Sequence, residues 1–170
     1  MCGIVGYLGS ELAASVILDG LRALEYRGYD SAGLAVLGSN GLTIRRRAGR
    51  IDDLASLVDE EALQGTIGIG HTRWATHGAA TDHNAHPHAD AMDRVVIVHN
   101  GMTDNVHHLR EQLVADGHVF RSETDTEVIA HIVGLEYAAG ASLAGAVANT
   151  LQQLDGAHSI LALEIGRAHV

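Results

Sequence analysis

Met1-Cys2-Gly3-Ile4-Val5-Gly6-Tyr7-Leu8, residues 1–8, opens the chain with a short apolar strand that starts at the very N-terminus. Cys2 is the only cysteine in the sequence. A lone cysteine is ordinarily a small buried hydrophobe, but its position here gives it a second reading. An initiator methionine before a small residue is usually removed, which leaves Cys2 carrying both a thiol and a free α-amine. That amine has an unperturbed pKa of roughly 7.7–8.0, close to the value wanted in a general base at neutral pH. Nucleophile and base would then sit on one residue, and no separate histidine is needed to activate the sulfur.

Outward from this strand, Glu11 to Tyr26 carries Leu12, Val16, Leu18, Leu21 and Leu24 at helical spacing. Arg27 to Ser31 breaks that helix. Ala32 to Leu37 and Leu42 to Arg47 read as a hairpin around Gly38-Ser39-Asn40-Gly41. A helix over Asp52 to Leu63 comes next, with Asp53 near its positive end. Thr66 to His71 and Arg94 to His99 are strands, separated by a polar loop, Thr72 to Asp93, that holds the only proline. A loop of that length in a compact domain is usually functional or disordered. Helices are expected at Asn105 to Asp116, Asp125 to Ala139 and Leu143 to Leu154, then a strand over His158 to Leu163. Strands in pairs with helices outside them indicate an α+β layered domain.

The length of 170 residues suits one domain. No apolar run approaches the length of a bilayer span, and the start lacks the basic region and cleavage site of a secretory signal. A single cysteine precludes an internal disulfide, and the cytoplasm is the expected compartment. The net charge is -10 and all 11 cations are arginines. That balance disfavours nucleic acid, which needs a basic face, and no membrane partner is expected. Arg45-Arg46-Arg47 with Arg50 reads as a solvated strand edge before it reads as a phosphate patch.

Three further stretches offer chemistry. Gly70-His71-Thr72-Arg73-Trp74-Ala75-Thr76-His77-Gly78 is dense in donors, and an arginine fork suits bidentate capture of a carboxylate. Its plainer reading is a strand end running into a loop. His99-Asn100-Gly101 reads first as a turn, because Asn-Gly is a favoured hairpin pair. The next segment, Asn105 to Asp116, looks helical and not like a return strand, however. The Asn100 amide and the Gly101 N–H could instead aim two donors at a developing oxyanion. Within Ser122 to Glu127, Thr124 and Glu127 form a capping box, and Asp125 suits the first helical position through the dipole alone. A carboxylate receiving a ligand's ammonium is the other reading, and the residues leave both open. His83, His86 and His88 match no zinc signature and read as loop and surface residues. No metal is expected.

These stretches together resemble the N-terminal glutaminase domain of the glucosamine-6-phosphate synthases, the isomerising glutamine–fructose-6-phosphate aminotransferases. The resemblance rests on residues 1–6, on Leu24-Glu25-Tyr26-Arg27-Gly28-Tyr29-Asp30-Ser31-Ala32-Gly33, and on the His71, His99 and Ser122 stretches, in family order. Cys-Gly-Ile alone marks only the wider class II glutamine amidotransferases. The resemblance implies an αββα sandwich of the N-terminal nucleophile hydrolases, incomplete at the C-terminus, with no cofactor. It implies that Cys2 attacks the glutamine carboxamide while Asn100 and Gly101 hold the oxyanion. Arg73 would bind the α-carboxylate, Thr76 and His77 would line the pocket, and Asp125 would take the α-ammonium. Trp74 would belong to a loop that closes over glutamine, and Arg27 would help order the N-terminal cysteine. Fructose-6-phosphate and a homodimer partner are implied for the full-length enzyme.

The family's domain continues beyond this chain, so the resemblance implies a truncated domain over residues 1–163 whose last strand exposes an edge. The tail, Glu164 to Val170, matches one reading frame of a common sequencing adapter, and a non-native tail is expected at 164–170. A glutamine-binding module without catalysis is the alternative if Met1 is retained. Metal binding by the histidine-rich loop, with Cys2 incidental, is another.

Overall fold

The computed structural model describes residues 2–39, 41–61, 63–74 and 78–165. Strand β1 covers Gly3–Leu8, helix α1 Ala13–Leu24, and a 3-10 turn Glu25–Arg27. The hairpin is β2 (Ser31–Gly38) and β3 (Gly41–Ala48), followed by α2 (Ile51–Glu61) and β4 (Ile67–Arg73). The second half holds β5 (His88–Ala89), β6 (Val95–Thr103), α3 (Val106–Ala115), α4 (Asp125–Ala138), α5 (Leu143–Leu151) and β7 (Gly156–Glu164). Among these residues no helix is long and apolar enough to cross a membrane.

The strands form two antiparallel sheets, one ordered β1-β4-β2-β3 and the other β5-β6-β7. Three hydrophobic cores hold four layers together. Ile17 and Leu21 of α1 and Leu54 and Val58 of α2 pack on Leu34 and Val36 of the first sheet. Ala35, Ile69, Val96 and Val98 fill the space between the sheets. Val95 and Ile97 face the other way, onto Leu109, Val128, Ile129 and Val133 of the second helical layer. The alternation in β6 is the period-two rule of a strand buried on both sides. Helix α4 is apolar around most of its circumference, as a helix covered on several sides must be; it is buried from Asp125 to Gly134. The αββα arrangement is the one the resemblance implied.

Two departures bear on the site. The strand expected to end at His99 continues to Thr103 because β7 pairs with it along its whole length, Asn100 opposite Ser159 and Gly101 opposite His158. Asn100-Gly101 is therefore strand, not turn. The long loop also contains β5, which pairs with β6 through His88 and Ile97. That pairing draws His86 and His88 to 5% and 3% exposure. The expectation that His83, His86 and His88 all lie at the surface holds only for His83. Strand β7 borders the second sheet, with no strand on its outer flank among the described residues.

Candidate active site

Register in the first sheet brings the N-terminus beside the end of β4. β1 pairs with β4 from Gly3 opposite Thr72 to Leu8 opposite Ile67, so Cys2 stands next to Arg73 and Trp74. Thr72 Oγ1 accepts the Gly3 N–H at 3.0 Å, tying down the residue after the cysteine. The Trp74 N–H points at Cys2 Sγ from 3.2 Å. Helix α1 can press onto β4 because position 70 is glycine: a Cβ there would lie 2.3 Å from Ile17 Cγ2.

From the second sheet, the Asn100 Nδ2 donates to the Cys2 carbonyl oxygen at 3.1 Å. Gly101 comes next with φ +146°, and a Cβ there would meet the Ala157 carbonyl oxygen at 2.2 Å and His99 Nε2 at 2.7 Å. Glycine is the residue that fits. Gly101→Ala is expected to push β7 from β6 at a cost of about 2 kcal/mol. A thermal melt should then show the midpoint lowered by roughly 4–8 °C, and an unchanged midpoint would refute this account of the glycine.

Asp125 opens α4 and is 6% exposed. Its carboxylate accepts the Thr103 N–H at 3.2 Å and stands 3.8 Å from His99 Nδ1. Thr124 caps the helix, accepting the Glu127 N–H at 3.3 Å. Only half of the expected capping box forms. The Glu127 carboxylate turns instead to the Arg121 N–H at 2.8 Å, the Ser122 N–H at 2.6 Å and the Ser122 hydroxyl at 2.7 Å. The Ser122–Thr124 turn that presents Asp125 is thereby held from inside.

Cys2, Arg73, Trp74, Gly101 and Asp125 line one small pocket together with His86, His99, Thr124 and Thr126. Arg73, 4% exposed, donates to the Gly78 and Ala79 carbonyl oxygens at 3.1 Å and lies 4.0 Å from Asp30. Trp74 is 48% exposed and meets Tyr29 edge-on, with 5.5 Å between ring centroids. Arg27 lies on the opposite side of Cys2, lining a neighbouring cleft with Asn100 and Leu24. Thr76 and His77 lie outside the described residues.

Sequence reasoning missed the buried histidines around this pocket. His71 and His86 stack with centroids 4.0 Å apart, and His86 meets His88 at 5.0 Å. His88 Nε2 reaches Thr124 Oγ1 at 3.1 Å, while His99 reaches Thr126 Oγ1 at 3.2 Å and His158 Nδ1 at 3.0 Å. Burial holds the rings of His71, His86, His88 and His99 neutral. It lowers the pKa of His71 to about 3, against hydrogen bonds with Asn100 and His99 that raise it. It lowers His99 to about 4, with Asp125 raising and His158 lowering the value. Burial also takes His86 and His88 well below the ordinary range, each lowered further by neighbouring cations or imidazoles. The one signal in the sequence was a histidine directly following an apolar strand run, at His71 and again at His99. No group of three or more histidine, cysteine or acidic residues among the described residues has metal-binding geometry.

Residues 52–161 match the family described as the glutamine amidotransferase domain. The chain is 53% identical over 161 residues to a glutamine–fructose-6-phosphate aminotransferase (isomerizing) of Thermus thermophilus, covering 95% of this chain and 26% of that protein. It is 51% identical over 164 residues to the enzyme of the same name from Streptomyces coelicolor, covering 96% of this chain and 27% of that one. The chain thus spans about a quarter of the length of the curated relatives it matches. Among solved structures, it is similar to the glutamine phosphoribosylpyrophosphate amidotransferase from B. subtilis complexed with ADP and GMP. That likeness has a TM-score of 0.82 and 27% identity, covering 96% of this chain and 35% of that one.

Proposed function

Because the chain belongs to the glutamine amidotransferase domain family, we propose that it hydrolyses L-glutamine to glutamate and ammonia with Cys2 as an N-terminal nucleophile. The observation that carries the reading is the convergence of Cys2, Arg73, Gly101 and Asp125 on one pocket from different strands and a helix start. An α-amino acid needs that set: a fork for its carboxylate, a carboxylate for its ammonium, and donors beside the sulfur.

With Met1 removed, the α-amine of Cys2 takes the thiol proton and the sulfur attacks the carboxamide carbon. Asn100 Nδ2 and the Gly101 N–H receive the oxyanion. The C–N bond breaks as the ammonium returns its proton to the leaving nitrogen, releasing ammonia. Water then cleaves the thioester C–S bond, giving glutamate and the free thiol. Arg73 and Asp125 orient the substrate, Trp74 covers it, and Thr76 and His77 assist in binding it. Arg27 steadies the N-terminus from the far side. Covering the site keeps water from the thioester until ammonia has left.

The acceptor step belongs to the same proposal. The relatives' names include fructose-6-phosphate, and in a longer protein ammonia made here would be passed to it for amino sugar synthesis. Residues 1–163 would be the glutaminase unit and 164–170 a non-native tail; the protein would be cytoplasmic and dimerise through its acceptor part. Incubation with diazo-oxo-norleucine, an electrophilic glutamine analogue, should modify Cys2, and excess glutamine should protect it. Mass spectrometry of the N-terminal peptide should find Met1 absent. An unmodified Cys2, or labelling that glutamine does not slow, would overturn the reading.

A further inference from the structure

His71 sits fully buried in β4, where its ring crosses from the first sheet to the second. Its Nε2 lies 3.1 Å from the His99 carbonyl oxygen and 2.9 Å from Asn100 Oδ1. A backbone carbonyl can only accept, so Nε2 carries the ring proton. With Oδ1 held by that N–H, the Asn100 amide nitrogen is turned to the opposite side, where it meets the Cys2 carbonyl oxygen. A primary amide has two N–H bonds. One is spent on Cys2, which leaves the other for a substrate oxygen beside the cysteine. Rotating the carboxamide half a turn would present an oxygen to the developing oxyanion, replacing attraction by repulsion at that point.

We propose that His71 is a positioning residue for glutamine hydrolysis, fixing the Asn100 carboxamide so that its NH₂ faces the reacting carbon. This rests on the reading of Asn100 as an oxyanion donor. A second observation points the same way. His71 Nδ1 is buried with no hydrogen-bond partner among the described residues, and an unpaired buried acceptor costs stability that an apolar ring would avoid. The work the ring does with its polar atoms is therefore at Nε2. Stacking on His86 fixes its plane. Burial keeps the ring neutral, so it donates once and in one direction.

The test uses His71→Leu, which removes the donor, His71→Gln, whose amide reaches to about the same place, and His71→Asn, which is polar but too short. Each is made alone and with Asn100→Ala. Expected for His71→Leu and His71→Asn is a fall in kcat of roughly 10–100-fold, the usual range for an outer-shell partner, with KM for glutamine little changed. His71→Gln should recover most of the rate, and none of the three should lower kcat further beside Asn100→Ala. The side-chain amide resonances of Asn100 are read in the same proteins by ¹⁵N–¹H spectroscopy. They should stay in place in His71→Gln and move in the Leu and Asn variants. If the unmutated chain hydrolyses no glutamine, the functional reading fails and the spectra alone decide the positioning. Should His71→Leu not fold, His71→Asn decides. Wild-type kcat in His71→Asn, an equal loss beside Asn100→Ala, or unmoved Asn100 resonances would each overturn the proposal.

Discussion

Cys2→Ala is expected to abolish glutamine hydrolysis while leaving the fold and glutamine binding intact. Removing the nucleophile from an enzyme whose catalytic groups act as a unit lowers kcat by a factor on the order of 10⁴–10⁶. The sulfur is the only thiol in the chain, so no neighbour can substitute for it. Most of what Cys2 contributes to structure is backbone: its carbonyl oxygen receives Asn100, and the next N–H is held by Thr72. Both survive in alanine. Among the described residues Sγ forms hydrogen bonds with the Trp74 backbone alone and is incompletely buried, so the melting temperature should move little. Calorimetric titration should still detect glutamine, because Arg73 and Asp125, the groups proposed to hold its carboxylate and ammonium, are untouched. Steady glutamate production by the alanine variant would remove Cys2 from the chemistry. Loss of binding along with turnover would instead mean that the sulfur holds substrate.

What was legible in the sequence is what local pattern encodes. The apolar run at Val95 to Val98 announced a strand, and the order of strands and helices announced the layering. The residues around the pocket could be named because each falls in a short motif: Cys2 at the terminus, Arg73 closing β4 with Trp74 after it, Asn100-Gly101, and Asp125 behind a capping threonine. Their arrangement could not be read, since it depends on pairings far apart in sequence. Asn-Gly looked like a turn because the partner that makes it strand, β7, arrives at Ser159 and His158.

The histidines were misjudged for a related reason. The segment carrying His86 and His88 is polar and contains no periodicity, which is how a surface loop reads. It is buried because it runs over β2 so closely that a Cβ on Gly33 would lie 2.1 Å from the His86 carbonyl oxygen. Its imidazoles then find partners on β4 and at the start of α4. Likewise Glu127 matched the capping box by spacing, but the backbone N–H groups of Arg121 and Ser122 compete successfully for its carboxylate.

Those buried histidines should make the protein strongly acid-labile. His71 and His99 have folded-state pKa values of about 3 and about 4, below the ordinary 6.5, with burial the main cause. His86 and His88 are shifted in the same direction for the same reason. Above pH 6.5 these rings are neutral in both states and contribute no pH dependence. As pH falls below 6.5 the unfolded chain takes up protons that the folded protein refuses. Unfolding free energy therefore rises with pH in this window and falls on acidification, until each folded-state pKa is reached. Each such group contributes up to about 1.4 kcal/mol per pH unit. Four groups shifted in the same direction steepen the fall together, against a total stability on the order of 5–15 kcal/mol. Urea unfolding at pH 7.5, 6 and 5 should show the midpoint collapsing across this range, with cooperative unfolding in buffer alone between pH 6 and 4. Replacing His86 by glutamine, which does not titrate, should flatten the slope even if it lowers stability at pH 7.5. A midpoint that is level from pH 7.5 to 5 would mean the imidazoles are hydrated or already charged in the folded protein, contrary to their burial.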